Sequence, residues 1–280
     1  MAVAELKEAI QLLRVNPVLW IPGIVAGILA SSLWVLYNTT GAFFTSRLLI
    51  IVGLIYLFFI TGLLVIVKNN GGGIRDLITG GAHNFFRVLL PQLAIIFFLG
   101  LVTIIAFITV SLAGGNPDPS IAAFLMLALG IPTMVMTSFF DTAAVFEERR
   151  VFDSIRRSIE IVAVRLNEVI AFLLVEAGII AVTVFALMIL WEAFLYDKLE
   201  PLTRFNETQI QAFTPDQMMA MIGPSGLWIT AVVLFVAGLL LVPLLTSYKA
   251  CFYRSLAGRA PVIQQETTGE YDSKGRWYKY

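Results

Sequence analysis

Apolar residues fall in six blocks, roughly Val18–Leu36, Leu48–Val67, Leu89–Leu112, Ile121–Ala143, Val169–Leu195 and Leu227–Tyr248. Each is near the ~20 helical residues that cross a ~30 Å hydrocarbon layer. The pattern predicts an all-α fold, an integral membrane bundle of six transmembrane helices forming one domain over residues 1–250. Residues 251–280 read as a polar cytoplasmic tail, disordered at its end.

The separators between blocks have a pattern of their own. Across Val151 to Leu166, Val151, Phe152, Ile155, Ile159, Val162 and Leu166 share one helical stripe, and Asp153, Arg156, Arg157 and Glu160 lie opposite. Such a helix is too polar to span and too one-sided to float free, so it is expected to lie on the membrane interface, apolar face down. Arg156, Arg157 and Asn167 then mark an interfacial collar, with the elbow into the fifth span at Asn167-Glu168. Two further stripes precede spans: Val3, Leu6, Ile10 and Leu13 before Asn16-Pro17, and Ile74, Leu77, Ile78, Phe85 and Val88 around Asn84, weakened by Gly80-Gly81. The recurrence suggests a repeated unit of interfacial helix, outgoing span and returning span, although helical hairpins under one charge bias would look the same. In the last long loop, Thr214, Pro215 and Asp216 predict a helix start and Gly223 its end. Met218, Met219 and Met221 on that helix suit a flexible apolar surface better than a soft-metal site.

Composition agrees with the pattern: 59% of the residues are hydrophobic and 14% charged, against ~25% charged in an ordinary soluble domain. Formal net charge is zero, which gives nucleic acid nothing to bind. The distribution of charge matters more than its sum. With the N-terminus in the cytoplasm, all of the 19 Lys and Arg residues except Arg47, Lys198 and Arg204 fall on the inner side. The predicted topology in the cell membrane therefore has both termini cytoplasmic. Two sequons, at Asn38 and Asn206, fall in the loops this topology places outside and are candidate glycosylation sites. The first residues lack the apolar run and small-residue cleavage site of a removable signal peptide.

Candidate chemistry is sparse. One His (His83) and one Cys (Cys251) exclude an intrachain disulfide framework and argue against an all-protein His/Cys metal site. Gly71-Gly72-Gly73 lacks the Lys-Ser/Thr end of a phosphate loop and reads as a hinge. No catalytic residue, cofactor or metal is expected. Glu176 is the sharpest signal, because a carboxyl inside a span is costly and marks either a functional site or a polar clasp between helices. Asp141 lies near the inner end of the fourth span. Pro132 and Pro243 should kink their spans. Gly23, Gly27 and Ser31 give the first span a small-residue face, a candidate contact with a second copy or another membrane protein.

The stretch Phe140-Asp141-Thr142-Ala143-Ala144-Val145-Phe146-Glu147, followed by Val151-Phe152-Asp153-Ser154-Ile155-Arg156-Arg157-Ser158 and Asn167, resembles a family of uncharacterised six-span proteins frequent in archaea. That family is similar to the membrane domain attached to some glycerophosphodiester phosphodiesterases. Gly80-Gly81-Ala82-His83-Asn84-Phe85-Phe86-Arg87 is similar to the same family's first inner loop. The resemblance implies no catalytic residue here, since the soluble phosphodiesterase domain is missing. The expected function is a non-enzymatic membrane scaffold or accessory subunit that binds lipid or a protein partner. The alternative is a transporter of a lipid-like or small amphiphilic solute, using Glu176 and the kinked spans.

Overall fold

A computed structural model describes residues 2–112, 119–206, 209, 213–258, 269–271 and 277–279. The order is α1 (Ala2–Val15), a 3-10 turn (Pro17–Trp20), α2 (Ile21–Thr40), α3 (Ala42–Lys68), α4 (Ile74–Leu112), α5 (Pro119–Met136), α6 (Phe140–Phe146), α7 (Val151–Val164), α8 (Leu166–Leu199), a second 3-10 turn (Glu200–Arg204) and α9 (Pro215–Ala257). A short antiparallel pair, β1 (Gly269–Tyr271) and β2 (Trp277–Lys279), follows. Among the described residues, six helical segments are long and apolar enough to cross a membrane, so the chain is a helical membrane protein.

The packed core sits at one end of the bundle, where α1, the start of α4, α6, α7 and the end of α9 meet; we call it the basic end. Phe172 anchors it, with its ring 4.6 Å from Phe252, 4.7 Å from Tyr248 and 5.5 Å from Phe139. Toward the opposite end, α4 and α8 turn large apolar side chains outward: Phe97 and Val182 are 73% and 72% exposed. Hydrocarbon is the solvent that suits such surfaces.

Close backbone approach sets the helix pairs. A Cβ at Gly27 would stand 2.5 Å from the Phe235 carbonyl oxygen, and one at Gly23 would stand 2.6 Å from the Leu239 oxygen. Pro243 lacks an N–H, which frees the Leu239 carbonyl of its usual helical donor. Gly23 leaves room for α2 to lie directly against it. The small face expected to meet a second copy is therefore occupied within the chain at Gly23 and Gly27, and Ser31 lines the groove between α2 and α9. Likewise Gly80 and Gly81 bring α4 onto Val65 and Phe58 of α3. These glycines do not weaken α4, which runs unbroken past Asn84. Asn84 is buried and donates to the Gly80 carbonyl at 3.1 Å. The α2–α3 connection is Gly41 alone, at φ 82°, a left-handed conformation that glycine adopts without strain.

The expected interfacial helices form with their faces used in a particular way. Helix α7 turns Ser154, Arg157, Ser158, Ile161 and Val162 into the protein and leaves Phe152 and Ile159 outside. Helix α1 buries Ala2, Glu5, Ala9 and Leu13 and leaves Val3 exposed. Small residues allow close packing, and the large apolar ones are left for lipid. The elbow between α7 and α8 is Arg165, earlier than the Asn167-Glu168 expected; Asn167 is exposed on the first turn of α8. The fourth span breaks at residues 137–139, beyond Pro132. Ser158 repairs that break, accepting from the Phe139 N–H at 3.0 Å and donating to the Met136 carbonyl at 2.9 Å. Irregular backbone at membrane depth needs such a partner.

Candidate functional site

Breaking the fourth span lets α6 start as a separate short helix that carries Asp141 into the bundle. Oδ1 of Asp141 accepts from the Thr142 N–H at 2.7 Å, and Oδ2 pairs with the ammonium of Lys249 on α9. The Asp141 side chain is 10% exposed, so the pair is held largely away from solvent. Glu176 stands roughly 15 Å up α8 from Leu166, at 1.5 Å per residue. The charges of both Lys249 and Asp141 act on Glu176. Its carboxyl makes no hydrogen bond and no ion pair to the described residues. The Tyr56 hydroxyl on α3 is also within reach of the Lys249 and Asp141 charges. Four elements thus carry two carboxyls, one ammonium and a phenol within range of one another's charge. With Asp141 neutralised by Lys249, Glu176 is the carboxyl left uncompensated.

A second cluster closes the basic end. Glu147 Oε1 accepts from Arg157 Nε at 3.1 Å and from the Tyr253 hydroxyl at 2.6 Å, while Oε2 accepts from Arg149 Nε at 2.9 Å. Burial alone would raise the Glu147 carboxyl, but the bonds from Tyr253 and Arg157, the Arg157 charge and the Arg149 bond together hold it below its ordinary value. Burial would lower Arg157, and the Glu147 hydrogen bond and charge outweigh it and raise the guanidinium. Arg157 was expected on the solvent side of the collar; its side chain is only 3% exposed. Arg156 keeps the expected place, exposed and paired with Glu160 at 2.8 Å. Next to this cluster, Lys68 Nζ caps the Val145 carbonyl at 3.0 Å and pairs with Glu148 at 3.1 Å. Arg254 ties α9 to Glu8 of α1 and to Asn70.

A family profile described as Domain of unknown function (DUF7847) matches residues 1–256. The chain belongs to this family. No curated protein and no solved structure matches it. The DUF7847 match takes in all six spans, the collar and both polar clusters, and its description assigns no activity to any of them.

Within this DUF7847 chain the sequence-derived candidates separate. Glu176 lies within range of the Asp141 charge. Pro132 lines a groove of about 410 Å³ with Ile95, Phe98, Phe152, Ile155 and Ile159, between α4, α5 and α7. Pro243 is buried against α2 and belongs to helix packing. Asn38 lies in the last turn of α2, its amide donating to the Trp34 carbonyl at 2.8 Å. A helical sequon one turn from the next span is poorly placed for a glycan. Asn206 is exposed and engaged with Gln209, its N–H donating to Gln209 Oε1 at 3.0 Å; the rest of its sequon lies outside the described residues. His83 is exposed, and Cys251 is buried. The expected cap at Thr214 is present as a capping box with Gln217, and Gly223 breaks α9 at φ 61°. Lys198 Nζ donates to the Ile222 carbonyl and Ser225 hydroxyl beside that break.

Sequence reasoning missed Lys249, Tyr253, Glu147 and Ser158 as site residues. Lys249 carried one signal, the first cation along the final helix, five residues before Arg254. The other three looked like ordinary collar and span residues.

Proposed function

We propose that this protein transports a lipid-like or small amphiphilic solute, with Glu176 as its exchangeable carboxyl, and that it is not an enzyme. The observation that supports this is the missing partner. A clasp between helices would show Glu176 bonded to a neighbour, and it has no hydrogen bond among the described residues. A lone carboxylate in a low-dielectric setting is costly, so a proton or the cationic part of a solute must balance it. Asp141–Lys249 beside it supplies a fixed pair of opposite charges that can orient a polar head, and the apolar flanks of α4 and α8 suit its tail. The basic end, rich in Lys and Arg, is the cytoplasmic one in this reading.

A scaffold role is the second reading. It is favoured by the number of ties that lock the basic end, Arg254 to Glu8 and Lys68 to Glu148 among them. The two separate on purification of wild type and Glu176→Gln in mild detergent, with unfolding measured and copurifying amphiphiles quantified by mass spectrometry. The transporter reading expects equal stability and loss of a bound amphiphile from the variant. Unchanged amphiphile content in a stable Glu176→Gln protein would overturn it. Orientation is tested by impermeant thiol labelling of intact cells in a Cys251→Ser background: Asn206→Cys should react and Ser273→Cys should not.

A further inference from the structure

The interface of α1 with α9 holds polar groups that neither cluster uses. Glu5 is 7% exposed, on the first turn of α1, and its Oε2 has no hydrogen-bond partner among the described residues. Ser247 and Tyr248 on α9 are fully buried, and the Oγ of one and the hydroxyl of the other are likewise unpartnered. Buried polar atoms are almost always satisfied, by protein or by ordered water. Three open valences on two helices that pack against each other therefore call for polar partners. Their positions also connect. The Glu5 carboxylate acts on Tyr248 and on Cys251, and the Glu176 carboxylate also acts on Tyr248; the Tyr248 ring packs on Phe172, one helical turn before Glu176. Tyr248 thus feels both a carboxyl near the chain's amino end and the uncompensated carboxyl of the membrane cluster. The remaining charges facing this line are Glu8 and Arg254, which pair with each other, and Lys249 and Asp141, which do the same.

We propose that Glu5, Ser247 and Tyr248 enclose a hydrated path that carries protons between the aqueous phase at the basic end and Glu176. It rests on reading Glu176 as a carboxyl that takes up and releases a proton. A hydronium from the aqueous phase protonates Glu5. Water held by Glu5 and Ser247 accepts that proton and passes one on to the Tyr248 oxygen, while the Tyr248 O–H bond breaks and its proton forms the O–H of Glu176. The phenol ends as it began, and one proton has moved inward. The reverse sequence empties Glu176.

The test is the exchange of the Glu176 proton for deuterium in the protein reconstituted in liposomes. It is followed by the infrared band of protonated carboxyl, assigned by its loss in Glu176→Gln. Tyr248→Phe keeps the ring that packs against Phe172 and removes only the hydroxyl. Exchange should slow by about tenfold or more in Tyr248→Phe and in Glu5→Leu, since each tenfold corresponds to ~1.4 kcal/mol of barrier. It should be unchanged in Thr103→Val, whose hydroxyl only bonds back to the Leu99 carbonyl within α4. Should Tyr248→Phe lose its fold, Ser247→Ala serves the same purpose. Exchange unaffected by these variants, or slowed as much by Thr103→Val, overturns the path; so does wild-type protein with no Glu176-dependent band. The result is independent of any solute: loss of the transport reading with Tyr248-dependent exchange intact leaves the path standing.

Discussion

Arg157 offers the most decisive test of how the basic end is held. Removing it by Arg157→Gln strands Glu147, whose side chain is 22% exposed, in a site built for an ion pair. Losing one partner of a buried pair costs ~3–5 kcal/mol. Glu147 retains Tyr253 and Arg149 and some access to water, so we expect a loss of about 2 kcal/mol. The comparison is Arg156→Gln on the same helix, whose side chain is 55% exposed and whose partner Glu160 is four residues on. An exposed pair of that spacing is worth ~0.3–0.5 kcal/mol. Reversible unfolding in mixed micelles measures both. The double variant Glu147→Gln/Arg157→Met removes both charges and should recover part of the loss, because no buried ion is then left alone. Equal costs for Arg157→Gln and Arg156→Gln, or no recovery in the double variant, would refute the reasoning.

Gly27→Val should drive α2 from α9 and lower stability by about 1–3 kcal/mol, the usual cost of overpacking, whereas Gly100→Ala, with open space around it, should be neutral in the same unfolding assay. Ser158→Ala leaves the Phe139 N–H and the Met136 carbonyl without their partner and should cost ~1–3 kcal/mol, read as a lower unfolding temperature. The depressed Glu147 carboxyl stabilises the folded state fully above its unfolded value of about 4.5, and that contribution is lost as pH falls through the lower folded value. Unfolding temperature followed from neutral to acid pH should therefore fall more steeply in wild type than in Glu147→Gln.

The spans were legible because hydropathy over ~20 residues is a local property. The cap at Thr214 and the interruption at Gly223 were legible for the same reason: each depends on residues within a turn or two. Partnerships were not. Asp141 pairs with Lys249, and Tyr253 with Glu147, each across more than 100 residues, and no periodicity encodes such a choice. Helical periodicity put Phe152 and Ile159 of α7 on an outer face, where they are found, but also put Arg157 toward solvent, whereas it is buried. It ranks residues by apolarity, but a protein surrounded by lipid spends its small and polar residues on internal contact and leaves Phe152 and Ile159 outside. Gly23 and Gly27 were recognised as a contact surface, and only the fold shows that the surface they meet is α9.

The uneven distribution of packing along the bundle has a mechanical consequence. Among the described residues, cross-helix polar ties crowd the basic end, whereas the far end has few, such as Trp191 to Thr230 at 2.8 Å and Lys198 to the break in α9. A structure clamped at one end and lightly held at the other behaves as a set of levers. The angle at which α4, α5 and α8 splay is then set by the acyl chains pressing on them as much as by one another. Bilayer thickness and lateral pressure in one leaflet become inputs to the shape of the protein, while the clamped end stays the same.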